Sequence, residues 1–184
     1  DCEAFISRAR VLFEEANSEL AYYNIRQEFN YSTEITDFMK AVYFLYLNRH
    51  GYRGLCRYNK SGHFNIPYGN YKNPYFPEKE IRAFAEKAPR ATFICASFDE
   101  TLAMLKARDV VYCDPPYDGT FSGYHTDGFT EDDQYHLASI LEHRSSEGHP
   151  VIVSNSDTSL IRSLYRNFTH HYIKAKRSIG VAAG

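Results

Sequence analysis

Two successive prolines, Pro115 and Pro116, follow directly on the apolar run Asp109–Cys113 (DVVYC). Neither can donate to a sheet ladder, so a strand that reaches Cys113 has to stop there. The same half of the chain holds further short apolar runs at Ala91–Ser97 and Pro150–Asn155, and Phe168–Arg177 reads as a last strand. Helical stretches separate them, at Asp99–Ala107, from Thr130 to about Glu147, and at Thr158–Arg166. Thr130 with Asp133 three residues on forms a loose N-terminal capping box, and Gly148 is suited to close that helix. Short Val- and Ile-rich strands alternating with helices require crossover connections and therefore a parallel sheet. Ligands of such sheets sit beyond the carboxyl ends of the strands. That rule singles out the residues that follow Cys113, Asn155 and Ser97.

The first half reads differently. Ala4, Phe5, Ala9, Leu12 and Phe13 recur at helix spacing, and so do Leu20, Tyr23, Ile25 and Phe29 after Asn17. A third helix is expected from about Thr33, with Phe38, Ala41, Val42, Leu45 and Tyr46 facing inward, ending by Gly51. Residues 51–76, with scattered Gly and Pro, are expected to form loops or a short hairpin. A chain of 184 residues suits one domain, or one with a small insertion, and can bury a core unaided. Cys2, Cys56, Cys95 and Cys113 lie far apart, so neither a zinc site nor a disulfide framework is encoded, as suits a reducing cytosol. No apolar stretch is long enough to span a membrane, and no charged-then-apolar leader is visible. The chain has no initiator Met and opens inside a helical pattern, which points to a piece of something longer.

Net charge is −2, from 21 basic and 23 acidic residues, so no global positive field is present. The charge is unevenly placed, however. Between Asp37 and Glu78 there is no acidic residue, while Lys40, Arg49, Arg53, Arg57, Lys60 and Lys72 fall there, with His50 and His63. Tyr43, Tyr46, Tyr52, Tyr58, Tyr68, Tyr71 and Tyr75 are interleaved. Clustered cations release counterions from a phosphate backbone, and an Arg fork can read guanine in the major groove. A solvated basic loop with half-buried tyrosines is the plainer alternative, and Tyr43 and Tyr46 are assigned to the core.

The tetrapeptide Asp114-Pro115-Pro116-Tyr117 has a chemical reading beside its turn-forming one. The lone pair of an aromatic amino group is delocalised into the ring and is a poor nucleophile. One carboxylate oxygen and one backbone carbonyl, each accepting one amino N–H, draw the nitrogen toward tetrahedral geometry and localise that pair. Asp114 offers the first acceptor and the Pro115 carbonyl the second, held in a fixed direction by the proline rings. Tyr117 offers a face on which a planar base can stack. A base in a duplex reaches such a pocket only by rotating out of the helix.

With these residues in view, the chain resembles the DNA adenine methyltransferase (Dam) family. The likeness runs through Arg26–Asn30 (RQEFN), Phe44–Asn59 (FLYLNRHGYRGLCRYN), Phe64–Phe76 (FNIPYGNYKNPYF), Val110–Tyr117 (VVYCDPPY), Tyr124–Thr126 (YHT), Val151–Asp157 (VIVSNSD) and Lys176–Ile179 (KRSI). The resemblance implies transfer of a methyl group from S-adenosylmethionine to N6 of adenine in GATC, without a metal. It implies an α/β fold: an incomplete Rossmann-like methyltransferase sheet with a small helical target-recognition domain. Residues 1–76 would be the recognition region, and 77–184 the C-terminal part of the catalytic domain carrying Asp114, Pro115, Pro116 and Tyr117. Arg57 is matched to a guanine reader, Leu55 and Pro67 to apolar base contacts, and Tyr52 with Arg53 to a pair inserted beside the flipped base. Tyr71 and Lys72 are assigned to the same DNA-binding surface. Arg53 departs from the family pattern, where Asn is common, and Asn70 stands where a basic residue is common. Ser97 and Phe98 resemble a contact to the donor's adenine, and Asp114 borders the donor.

The Gly-rich turn that usually cradles the donor is not found, so the chain resembles the middle and C-terminal part of such an enzyme. Double-stranded DNA and S-adenosylmethionine are the implied partners, with no membrane, a monomer in solution, and a bacterial or phage cytoplasm with nucleoid association as the setting. An inactive DNA-binding module and a cytosine-N4 methyltransferase are the alternatives. Tyr124, His125 and Thr126 are read as a loop that closes over substrate or lies in solvent. Ser154 and Asn155 end a strand beside the site. Lys174, Lys176 and Arg177 either grip phosphate or form an exposed strand face, and no metal role is expected of His170 and His171.

Overall fold

The structure, a computed structural model, describes residues 1–119 and 128–174. They fall into two compact units, divided between Cys95 and Ala96.

In the first unit, three helices, α1 (Cys2–Glu15), α2 (Glu19–Tyr31) and α3 (Asp37–His50), are each opened by a side chain that accepts a first-turn amide. Those caps are Asp1, Ser18 and Thr36. The core gathers Tyr22, Ile25 and Phe29 of α2, Tyr46 and Leu47 of α3, and Phe64 and Ile66 from the irregular segment beyond α3. Sequence periodicity put Phe38, Ala41 and Leu45 inside. Val42 and Tyr46 are buried as expected, but Leu47 and His50 join them in place of those three, and Leu20 is 73% exposed. The displaced face is not wasted: Ala41, Phe44 and Leu45 line an apolar cavity of about 730 Å³ with Phe5 of α1 and Phe84 of the next helix.

That helix, α4 (Glu78–Lys87), has no counterpart in the sequence reading, although Glu78 and Glu80 mark its first turn. Arg82 pairs with Glu78 and with Glu3 of α1, and Arg10 pairs with Glu78. The first compact unit therefore runs past residue 76 and includes this helix.

Residues 51–76 contain almost no regular structure, as expected, yet Phe64 and Ile66 are 1% exposed. Their backbone must find partners. Side chains of α2 supply them. Asn30 donates Nδ2–H to the Phe64 carbonyl at 2.9 Å and accepts the Phe64 N–H at 2.8 Å. The Ile66 carbonyl accepts from the Tyr22 hydroxyl at 2.9 Å and from the Arg26 guanidinium at 2.8 Å.

In the second unit, β1 (Val111–Cys113) pairs in parallel with β2 (Val151–Val153), Val111 opposite Val151 and Cys113 opposite Val153. The helices α5 (Phe98–Ala103), α6 (Glu131–Ser146) and α7 (Ser159–Leu164) complete it. Thr130 and Asp133 form the expected capping box of α6. Leu102, Val111, Leu137, Ala138, Leu141, Ile161 and Tyr165 form the core. The helix read over 99–107 is shorter, and the strand read over 91–97 is absent. Every residue of that stretch is exposed, Phe93 at 72% and Ile94 at 54%. An apolar run becomes a strand only where a neighbour can take up its amides and carbonyls, and among the described residues β1 pairs with β2 alone. Residues 168–174 form no strand for the same reason, and 175–177 lie outside the described residues. No described helix is long and apolar enough to cross a membrane.

His50 is fully buried, stacked on Tyr46 with ring centroids 3.9 Å apart, and its Nδ1–H donates to the Tyr46 carbonyl at 3.0 Å. Nε2 has no partner among the described residues. Burial holds the imidazole neutral and lowers its pKa from 6.5 to about 4. The unfolded chain takes up a proton below about pH 6.5 that the folded chain refuses until about pH 4. The stability from neutral His50 is therefore complete above that window and falls as pH drops through it, by about 3 kcal/mol in all. Urea unfolding at each end of the window should show this loss, and His50→Phe should flatten it.

Candidate active site

The parallel pair delivers two loops to one edge. The Ser154 N–H donates to the Cys113 carbonyl at 3.0 Å, which continues the ladder one step and leaves Asp114 and Ser154 side by side. The Ser154 hydroxyl then donates to Asp114 Oδ1 at 2.5 Å, fixing the carboxylate's orientation. Asp114 is exposed, Pro115 is buried, and Pro116 and Tyr117 are half-buried. The turn holds still further: Asn155 Oδ1 accepts the Asp118 N–H at 3.0 Å, and the Thr158 hydroxyl donates to the Asp118 carboxylate at 2.6 Å. Gln134 of α6 donates Nε2–H to the Pro116 carbonyl at 2.9 Å. Ser154 and Asn155 were legible as strand-end residues, whereas Gln134 was not read at all. Its one signal is a polar residue on the helix face that carries Leu137, Ala138 and Leu141. Beneath the turn, burial and then the Asp114 charge push the Cys113 thiol pKa up.

Beside β1 lies an apolar pocket of about 370 Å³, lined by Phe98, Leu102, Leu105, Val111, Tyr112 and Cys113 among others. Of the two residues matched to a donor contact, Phe98 is in its wall. Ser97 is committed elsewhere: its hydroxyl accepts the Glu100 N–H at 3.1 Å and its N–H donates to the Glu100 carboxylate at 2.9 Å. It caps α5. The pocket's aromatic and aliphatic lining suits a flat apolar group such as an adenine ring, and it presents nothing charged to an amino acid end.

The residues matched to DNA contacts lie in the first unit. At the end of α3, Gly51 bridges antiparallel to Tyr68, and Tyr52–Gly54 makes a single tight 3-10 turn. Arg53 sits at φ +55°, a left-handed conformation uncommon for a non-glycine residue, and Gly54 follows at +64°. Strain of this kind persists where surrounding contacts over-determine it. Here the Arg53 N–H donates to Tyr71 Oη at 2.8 Å, the Tyr52 N–H to the Pro67 carbonyl at 2.9 Å, and Asn48 Nδ2 to the Gly54 carbonyl at 2.7 Å. The Arg53 guanidinium lies over the Tyr52 ring, 5.2 Å from its centroid. Tyr52, Arg53, Pro67 and Tyr71 are thus gathered into one exposed turn. Tyr71 props that turn from within, a role sequence alone did not suggest. Gly69 makes room for it, since a Cβ there would stand 2.4 Å from the Tyr71 ring.

Arg57 begins a small hairpin closed by the Tyr58–Phe64 bridge, and its Nε–H donates to Asn65 Oδ1 at 2.8 Å, which orients the exposed guanidinium. Leu55 is only half-exposed and packs against the core, so part of its apolar surface is already used. Lys72 is exposed, and its carbonyl accepts from Asn17 Nδ2 at 3.1 Å. Asn70, the other departure from the expected pattern, sits at φ +53°, a conformation asparagine tolerates better than a lysine or arginine would. Tyr124–Thr126, Lys176 and Arg177 lie outside the described residues. Among the described residues no group of three or more His, Cys, Asp or Glu is placed to hold a metal ion.

An acidic residue ahead of two prolines and a tyrosine, set at the carboxyl edge of a parallel strand pair, defines a class, and comparison with known proteins gives its family. The chain belongs to the D12 class N6 adenine-specific DNA methyltransferase family, whose model matches residues 1–179. It is 94% identical over 184 residues to the retron Ec67 DNA adenine methylase of Escherichia coli, covering all of this chain and 65% of that protein. It is 47% identical over 188 residues to the DNA adenine methylase of Escherichia coli strain K12, with 99% of this chain and 67% of that protein covered. A DNA adenine methylase of Vibrio cholerae is 48% identical over 184 residues, 96% of this chain and 66% of its own length. The chain thus spans about two thirds of the length of these relatives.

Tyr71→Phe removes the acceptor of the Arg53 amide and nothing else that the turn uses. Amide hydrogen exchange at Arg53 should quicken about fivefold, the equivalent of one hydrogen bond of about 1 kcal/mol, with global stability nearly unchanged.

Proposed function

We propose that this chain carries the catalytic turn and the target-recognition surface of an adenine-N6 DNA methyltransferase that acts on GATC in double-stranded DNA. The observation that carries the reading is the position of Asp114, exposed at the carboxyl edge of β1, beside Ser154 and next to the apolar pocket. In this reading residues 1–76 are the helical recognition region, α4 packs with them in the first compact unit, and the second unit is the C-terminal part of a Rossmann-like catalytic domain. Tyr52 and Arg53 fill the space left by the rotated adenine, Arg57 reads guanine, and Leu55 and Pro67 make apolar base contacts. Tyr71 supports that surface through the Arg53 amide, and Lys72 meets phosphate.

The mechanism follows from charge and geometry. Asp114 Oδ2 and the Pro115 carbonyl accept the two N–H groups of the flipped adenine, while Ser154 holds Oδ1 and so aims the carboxylate. Among the described residues no hydrogen bond occupies the Pro115 carbonyl. Accepting both hydrogens localises the N6 lone pair, and the carboxylate stabilises the positive charge that grows on nitrogen as it forms the new bond. Tyr117 stacks on the base and keeps water from the amino group. Phe98, in the wall of the apolar pocket, would hold the adenine of S-adenosylmethionine, whose sulfonium would supply an electrophilic methyl group and leave as the neutral thioether. The extra proton on N6 leaves by way of Asp114 to solvent. Nothing in these steps calls on a metal, and one monomer holds every residue named. A bacterial or phage cytoplasm, with nucleoid DNA as substrate, is the fitting place for it.

Asp114→Ala, tested with the full-length protein, should lower methyl transfer about a thousandfold or more while DNA affinity stays within about threefold of the parent. Nucleoside analysis of the parent's product should give N6-methyladenine. N4-methylcytosine would make the chain a cytosine enzyme, and DNA binding without donor binding or product would make it a binding module.

A further inference from the structure

Gln134 is 3% exposed, on the face of α6 that otherwise carries Leu137, Ala138 and Leu141 into the core. A leucine there would pack as well and would carry no polar group. Burying an amide is costly unless it is hydrogen-bonded, and here its nitrogen and its oxygen are both engaged. Nε2 donates to the Pro116 carbonyl at 2.9 Å, and Oε1 accepts from Asn155 Nδ2 at 3.2 Å. Asn155 Oδ1 in turn accepts the N–H groups of Asp118 at 3.0 Å and Ser156 at 2.8 Å. Two side-chain amides, one from α6 and one from the loop after β2, therefore brace the turn between Pro116 and Asp118.

The torsions of that turn show what this bracing does. The chain leaves β1 at Cys113 in a fixed direction. Each proline ring fixes its own φ, and the ring of Pro116 confines ψ of Pro115 to the extended region. The first torsion that neither effect restrains is ψ of Pro116, and it decides where Tyr117 goes relative to Asp114 and the Pro115 carbonyl. That rotation swings the Pro116 carbonyl, the group Gln134 holds.

We propose that Gln134 is a positioning residue of the methyl-transfer site: through the Pro116 carbonyl, and locked by Asn155, it sets the stacking face of Tyr117 against the two acceptors of the amino group. The inference rests on the reading of Asp114–Tyr117 given above. Gln134 touches neither base nor donor. It acts by removing one degree of freedom from the turn before substrate arrives, as preorganisation requires.

The test uses Gln134→Leu, close in size and able to fill the core, and Gln134→Glu, both in the full-length protein with GATC duplex and S-adenosylmethionine. Gln134→Leu should lower kcat about tenfold to a hundredfold, with KM for DNA and for donor within about threefold. In Gln134→Glu the lost donor returns when the buried carboxyl is protonated, so kcat relative to the parent should rise as pH falls from about 8 to about 6. Combining Gln134→Leu with Tyr117→Ala should cost little more than Tyr117→Ala alone, because both act through the same ring. A parental kcat in Gln134→Leu would overturn the proposal. So would a kcat loss that tracks a fall in thermal stability, is additive with Tyr117→Ala, and leaves the Gln134→Glu pH profile parallel to the parent's. Retained turnover in Asp114→Ala, by contrast, would remove the underlying site reading whatever the Gln134 variants do.

Discussion

Buried backbone that is neither helix nor sheet has to be satisfied by side chains, and both units of this protein are organised around that requirement. Where Phe64 and Ile66 enter the core of the first unit, Asn30, Tyr22 and Arg26 meet their peptide groups. Where the second unit turns through Pro115 and Pro116, Gln134 and Asn155 meet the groups at Pro116 and Asp118. In each case a helix supplies a side-chain amide, Asn30 of α2 in the first unit and Gln134 of α6 in the second, and so ties the irregular segment to it. The segments so treated are the ones that carry the residues matched to DNA contacts and to catalysis. Loops positioned by a scaffold are where such residues belong. Here the scaffold reaches the loops by hydrogen bonds as well as packing.

The distribution of charge follows a related division. Acidic side chains of the first unit pair with arginines at the α1–α4 contact, Arg82 with Glu3 and Glu78, and Arg10 with Glu78. The cations of the acid-free window are placed otherwise: Arg53 over an aromatic ring and Arg57 on an asparagine. Neutral partners fix the direction of a guanidinium without cancelling its charge. That is the arrangement a phosphate- or guanine-seeking surface needs.

Much of this was legible in the sequence, for identifiable reasons. Helices announced themselves by period and by caps, and the Thr130–Asp133 box was read residue for residue. The Asp114–Tyr117 turn was legible because Asp-Pro-Pro-Tyr is a rare string in a position that a topological rule marks. Apolar runs misled, since hydrophobicity says that a segment seeks burial but not that an edge exists to pair with, and 91–97 is exposed and forms no strand. The helix 78–87 was missed because its tie to α1 is ionic, through Arg82 and Arg10, rather than a broad apolar stripe. Gln134, and the propping role of Tyr71, escaped because what each holds is a backbone group, the Pro116 carbonyl and the Arg53 amide, which no side-chain pattern encodes. Asn70 looked like a lost cation, whereas its backbone torsion gives it a conformational reason to be there.

The space left at Gly69 reaches further than the residue itself. A side chain there would displace the Tyr71 ring, and with it the hydroxyl that steadies the left-handed Arg53. Position 69, which carries no functional group, therefore governs the shape of the surface through a neighbour's neighbour. Mutational intolerance at this glycine would be inherited from Arg53, and a survey of tolerated substitutions would find the two sites falling silent together.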